Sequence, residues 1–109
     1  MTKADLLSAA RGKPVSFDGP DGFTCLLRPL SWGERKELFD WLTAHRDEPG
    51  SGLELESRLI TLAVCDGSGA TLLVAGDLTD FALNVSDAVA KEVARRNGMD
   101  GKAGEPGKS

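Results

Sequence analysis

Apolar and polar positions change rhythm along this chain, and each rhythm predicts a different element. From Val15 to Phe17 they alternate, and a second β-rich run follows from Phe23 to Arg28. Between the two lies Asp18-Gly19-Pro20-Asp21-Gly22, so the pair reads as a β-hairpin around a Gly- and Asp-rich turn. The alternation breaks at Cys25-Leu26-Leu27, which leaves the register open. Pro29 ends the second strand. Ser31-Trp32-Gly33-Glu34 then has the Ser-x-x-Glu spacing of a capping box, in which side chain and backbone satisfy orphan amides at a helix start. Beyond it the apolar period lengthens to that of a helix, with Leu38, Trp41, Leu42 and His45 on one face.

Both helix breakers occur in Arg46 to Gly52, which predicts a flexible connection. From Glu54 a second helix is expected. Leu55, Leu59, Leu62 and Ala63 share its apolar face, Ile60 and Val64 widen that face, and Glu54 and Arg58 stand at i, i+4 on the other side. So wide a face marks the central helix of a core. After Asp66-Gly67-Ser68-Gly69, Thr71-Leu72-Leu73-Val74 reads as a small hairpin or an extended return. Asp77 opens a short helical turn carrying Leu78, Phe81 and Ala82. Ser86 is the expected cap of a last helix, Asp87 to Asn97, with Val89, Ala90, Val93 and Ala94 inward and Lys91, Glu92, Arg95 and Arg96 toward water. Asn97-Gly98 is its stop.

Thr2 to Ala10, with Thr2 and Asp5 at capping distance and Leu6-Leu7 behind them, reads as a short helix or loosely attached arm closed by Gly12 and Pro14. The tail from Asp100, DGKAGEPGKS, has almost nothing to bury and is expected to be disordered. The expected architecture is therefore α+β: an arm over residues 1–13, one mostly helical small domain over 14–99 with an N-terminal β-hairpin and three to four helices, and a disordered tail over 100–109.

Composition narrows the function classes. With 109 residues there is room for one modest core and no second lobe. A net charge of −4 with scattered Lys and Arg argues against binding nucleic-acid phosphates. No apolar run approaches the roughly 18 residues of a membrane span, and the N-terminal residues lack the apolar stretch of a secretory signal. Cys25 and Cys65 form no CxxC, and their plain reading is two buried free thiols in a reducing cytoplasm.

Candidate chemistry fails on spacing. His45, the only histidine, has no nucleophile paired with it in sequence and reads as a helix-end residue on the edge of an apolar face. The carboxylates fall in turns, first helical turns and charged faces. Asp66-Gly67-Ser68-Gly69 begins like a calcium loop with Asp77 in the twelfth position, but Thr71 stands where Gly is needed and Leu72-Leu73-Val74 follow. Gly107-Lys108-Ser109 would need Gly where Lys102 stands to close a phosphate loop, and Gly67-Ser68-Gly69 lacks the nucleophile-elbow spacing. No catalytic, cofactor or metal residue is assigned. Trp32 and Trp41 are large amphipathic side chains of the kind enriched at interfaces. Trp41 reads as core and Trp32, in a first helical turn, as the better interface residue.

The order of these marks resembles the tail assembly chaperones of long-tailed bacteriophages. An N-terminal hairpin precedes a Leu-Ser-x-x-Glu-Arg helix start, here Leu30 to Arg35. An Arg-Leu-x-x-Leu-Ala-Val-x-Asp helix exit follows, here Arg58 to Asp66, with Gly69 and Leu72-Leu73 beyond it. An acidic helix start at Asp77 precedes a final helix ending Asn97-Gly98-Met99. The resemblance spans Val15 to Met99, through marks that are individually common and specific only in their order. It implies a non-enzymatic assembly factor without cofactor, made in the cytoplasm of an infected or lysogenic bacterium and absent from the finished virion. Such a chaperone coats the long tape-measure protein, helps recruit tail-tube protein and self-associates. The family often makes an extended form by frameshifting, and Gly107-Lys108 is compatible with a slippery codon run. Trp32, Leu38, Phe39 and Trp41 are the candidate partner interface. The alternative class is another small non-enzymatic adaptor, such as a head–tail connector or a regulatory binding module. A small thiol or hydrolytic enzyme is the remote one.

Overall fold

The computed structural model describes residues 1–99; the expected disordered tail lies outside the described residues. The predicted hairpin forms from β1 (Val15–Asp18) and β2 (Thr24–Leu27), antiparallel, with Val15 opposite Leu27 and Phe17 opposite Cys25. A 3-10 turn, Pro20–Gly22, connects them, and Asp21 takes a left-handed conformation (φ 56°). Asp is among the few residues that tolerate that region. This register turns Phe17, Cys25 and Leu27 toward the core side, which the broken alternation concealed.

Four helices are present among the described residues: α1 (Lys3–Ala10), α2 (Trp32–His45), α3 (Ser51–Ala63) and α4 (Leu83–Arg96). The α2 capping box is formed, with Glu34 N–H donating to Ser31 Oγ at 3.1 Å and Ser31 N–H donating to Glu34 Oε1 at 2.9 Å. Helix α3 begins at Ser51, three residues before the expected Glu54, with Gly50 before it in the left-handed region (φ 80°). It packs between α2 and α4 as the central helix.

Two expectations are corrected. Val64 is not the last turn of α3. The chain turns extended there, and Val64–Cys65 forms β3, which pairs antiparallel with β2 and completes a sheet ordered β1-β2-β3. Arg28 N–H, just past β2, donates to Ala63 O at 2.9 Å, so the hairpin satisfies a helix-end carbonyl that would otherwise be orphaned. Ser86 does not cap the last helix. Helix α4 starts at Leu83, Ser86 lies inside it with its hydroxyl donating to Leu83 O, and Ala82 stands at the cap without a side-chain bond. Asn84 Nδ2, in that first turn, donates to Asp21 Oδ2 at 2.9 Å, and Val85 packs against the core. Tertiary contact to the hairpin turn replaces the missing local cap.

The core gathers Leu27 from β2, Leu38 from α2, Leu59, Ile60 and Ala63 from α3, Val64 from β3, and Val89, Ala90 and Val93 from α4. Ile60 and Val89 are fully inaccessible. No buried polar side chain sits among the described residues. Between β3 and α4, Thr71 forms an isolated bridge to Cys65, the small hairpin return that was expected. A 3-10 turn, Ala75–Asp80, then brings Leu78 to the core, and Phe81 just beyond it meets Phe23 edge to face at 6.0 Å.

Candidate functional site

Among the helices packed on the core, α2 gives it least, with Leu38 its single fully buried residue against three each from α3 and α4. The four candidate interface residues part company here. Trp32 is 78% exposed and Phe39 38% exposed. Seven residues apart on one helix, they stand two turns from one another on the same side. Arg35 lies between them, its guanidinium 5.6 Å from the Phe39 ring centroid. Leu38, by contrast, is 3% exposed and belongs to the core, since it falls about a third of a turn round the helix from both rings, toward α3. It is removed from the candidate interface.

Trp41 lies outside the core cluster, contrary to its reading as a core residue. It is half-buried, stacked on His45 (centroids 5.1 Å apart, planes at 29°), with the Arg58 guanidinium of α3 4.7 Å from its ring. A cation over an indole face accounts for a large aromatic at the margin of a core. Arg58 is held in place by Glu54 at 3.2 Å, the predicted i, i+4 pair.

Below this stack, between α2 and α3, a cleft of about 210 Å³ is lined by Glu34, Glu37, Leu38, Arg58, Thr61 and Leu62. Its floor is apolar and its rim charged. A second hollow of about 200 Å³ lies between the hairpin and the end of α4, over Leu27 and Val93, with Arg28 and Arg96 among its walls.

Sequence reasoning missed the ion pairs that tie hairpin to helices. Arg28 and Glu34 meet in a two-pronged pair at 3.0 and 2.6 Å. The Arg28 bond holds the Glu34 carboxyl below the usual carboxylate range, against burial, and Ser31 adds to the effect. Arg96 was expected to face water. It instead donates to Val15 O at 3.2 Å and Ser16 O at 3.0 Å, and its Nε donates to Glu92 at 2.8 Å. Glu92 also accepts two bonds from Arg95 and is pulled down to about 2, Arg95 first and Arg96 also, in opposition to desolvation. Asn97 Oδ1 accepts from Leu30 N–H at 3.0 Å. The signal for Glu34 was present, since its capping geometry aims the carboxylate back toward the residues preceding the helix. Nothing in the sequence marked Arg96 as different from Arg95.

The groups considered for chemistry have structural employment. His45 Nδ1 lies 2.7 Å from Glu48 and its ring is stacked on Trp41. Cys25 and Cys65 are free thiols on β2 and β3, both pushed above the ordinary thiol range by burial, which disfavours the nucleophilic thiolate. Asp66 Oδ1 accepts from Ser68 N–H, Ser68 Oγ and Ala70 N–H, so the carboxylate closes its own turn, and these bonds lower its pKa. Among the described residues no three His, Cys, Asp or Glu side chains converge to hold a metal, and no helix is long and apolar enough to cross a membrane. Gly107-Lys108-Ser109 lies outside the described residues. No family model, curated protein or solved structure matches the chain.

Proposed function

We propose that this chain is a binding protein of the tail-assembly-chaperone kind, which takes up amphipathic segments of a tape-measure protein and helps bring tail-tube subunits to it. The observation that carries the reading is the outward face of α2, where Trp32 and Phe39 flank Arg35 and lie outside the core. Exposed aromatics beside a guanidinium are the side chains most often found to dominate protein interfaces. An apolar segment of a partner laid along this face would bury both rings and lose the contacts it otherwise makes in aggregates. Each copy offers a small surface, so holding a long chain requires many copies side by side, with affinity gained by multivalency. The order of marks from the hairpin to Asn97-Gly98-Met99 supplies the particular partner class.

The test is co-expression with the tape-measure protein encoded beside it. The expected result is co-purification and a higher soluble yield of that protein. Truncating Trp32 and Phe39 together to Ala should weaken capture by roughly 30-fold or more, the cost of losing a hot spot worth at least about 2 kcal/mol. Melting should be nearly unchanged, because neither ring is in the core. Neither co-purification nor a change in yield would reject the reading.

A further inference from the structure

Helix α1 is formed and capped but covers nothing. Thr2 N–H donates to Asp5 Oδ2 at 3.0 Å and Asp5 N–H to Thr2 Oγ1 at 3.2 Å, a complete capping box. Every residue from Met1 to Lys13 is nevertheless exposed, including Leu6 (57%) and Leu7 (51%) side by side. Isolated helices shorter than about 12 residues are marginal in water, and α1 has 8. Two adjacent leucines on such a helix call for a cover that no other described residue gives them.

At the root of the arm Gly12 has φ 74°, and a Cβ there would stand 2.9 Å from Pro29 Cγ. The backbone is thus seated against Pro29 in a conformation that suits glycine alone, and Pro14 stiffens the next step. From this seat the arm runs out with every residue from Met1 to Lys13 exposed.

Charge identifies the occupant. The arm carries Lys3, Arg11 and Lys13 against one carboxylate, Asp5. The span from Ser31 to Ala63 carries seven carboxylates against four Arg and Lys. Among the described residues Lys3, Arg11 and Lys13 form no salt bridge, and neither does Glu37 on the rim of the α2–α3 cleft. The floor of that cleft is Leu38 and Leu62. Glu34 on that rim is paired with Arg28 and Arg58 with Glu54, so Glu37 is the lining carboxylate left to answer a cationic arm bearing two leucines.

We infer that two copies of this chain associate by exchanging their N-terminal arms, Leu6 and Leu7 of each copy seating over the half-buried Leu62 in the α2–α3 cleft of the other, with the arm's cations facing Glu37. Such an exchange is isologous, so two arms and two clefts close the pair and leave neither helix uncovered. The aromatic face around Trp32 and Phe39 is not consumed by it. The inference does not depend on the tape-measure reading, because its test contains no other protein.

Sedimentation of the full chain across a micromolar concentration series is the experiment, with five proteins compared. The unaltered chain is expected to be a concentration-dependent dimer that weakens with added salt. Leu6→Asp with Leu7→Asp should be monomeric throughout, with an unchanged urea midpoint when dilute, since α1 contributes nothing to the core. Glu37→Lys, a change at an exposed position, should weaken the dimer about tenfold by setting like charges together. An arm-deleted chain has an intact cleft, and Glu37→Ala retains both arm and cleft floor. Their mixture should form heterodimers through one arm and one cleft, while the arm-deleted chain alone stays monomeric. A chain that is monomeric at every concentration overturns the proposal. So does a dimer indifferent to the leucine substitutions. A dimer lost with the leucines but indifferent to Glu37→Lys, or a mixture without heterodimers, would mean that arms pair with arms, and the cleft assignment would be wrong.

Discussion

At the scale of single residues, the hairpin and helices are joined by charge pairs that do two jobs each. Glu34 closes the α2 capping box and grips Arg28 at the end of β2. Both side chains are largely sheltered, at 19% and 26% exposure, so the pair is screened less than a surface bridge. Glu34→Ala leaves a sheltered guanidinium short of its partner and the helix start without its reciprocal bond, at an expected cost of about 2–3 kcal/mol in urea unfolding. Glu92 makes the corresponding link at the other end of the core, through Arg96 to the β1 carbonyls, and it also holds Arg95. Its folded pKa of about 2 lies below the ordinary 4.5. Its stabilisation is therefore full above the unfolded value and disappears as pH falls from about 4.5 to about 2. Urea midpoints measured from neutrality down through that window should fall more steeply for the unaltered chain than for Glu92→Gln. An equal slope would place the pair outside the stabilising set. None of this was legible for Arg96. In sequence it is one of two adjacent arginines on a solvated face, and the partners it finds are backbone carbonyls far back in the chain.

The elements divide by where their boundary information resides. Helix α2 was legible at its start because a capping box is a local device, complete within four residues. The end of α4 was legible for the same reason. Gly98 N–H donates to Arg95 O at 3.3 Å and Met99 N–H to Ala94 O at 2.7 Å, with Gly98 left-handed at φ 67°. That is a Schellman stop, and Met99 packs against the core behind it. Gly98→Ala is expected to cost about 1–2 kcal/mol, the penalty of a Cβ in the left-handed region. The space itself is tolerant, since the nearest atom to an added Cβ would be Arg35 Nη2 at 3.6 Å. A cost near zero in equilibrium unfolding would show that the stop relaxes. Strand β3 and the start of α4 were not legible. Ala63-Val64-Cys65 continues an apolar run that fits a helix or a strand equally well, and pairing with β2 decides it. At α4, Ser86 advertised a cap, yet packing of Val85 and the Asn84–Asp21 bond began the helix a turn earlier. The same division governed the candidate interface. Exposure of Trp32 followed from its place in a first turn, whereas Leu38 and Trp41 share a helical face in sequence and are separated only by what α3 sets against each.

For the whole molecule, β3 is the place where sheet and helices become one cooperative unit. Val64 is in the core, Cys65 pairs with Leu26 of β2, and the preceding carbonyl of Ala63 is bonded by Arg28. Cys65 is 2% exposed, with its Sγ 3.6 Å from Leu26 O and its thiol pushed up by burial. A thiol reagent can reach it only after β3 has parted from β2, and parting them opens the α3 face of the core. In a Cys25→Ala background, labelling of Cys65 thus reports the opening equilibrium when reclosing outpaces reaction. For a domain stable by at least about 5 kcal/mol, labelling in native buffer should be over a thousandfold slower than in denaturant. Ile60→Ala, at a position with no accessible surface, should lose about 2–5 kcal/mol and accelerate labelling by the same free energy. Parallel changes in labelling and urea stability would make sheet and helices one unit. Rapid labelling of a chain that still unfolds cooperatively in urea would mean that β3 opens locally, and that the core is held by α3 and α4 without it.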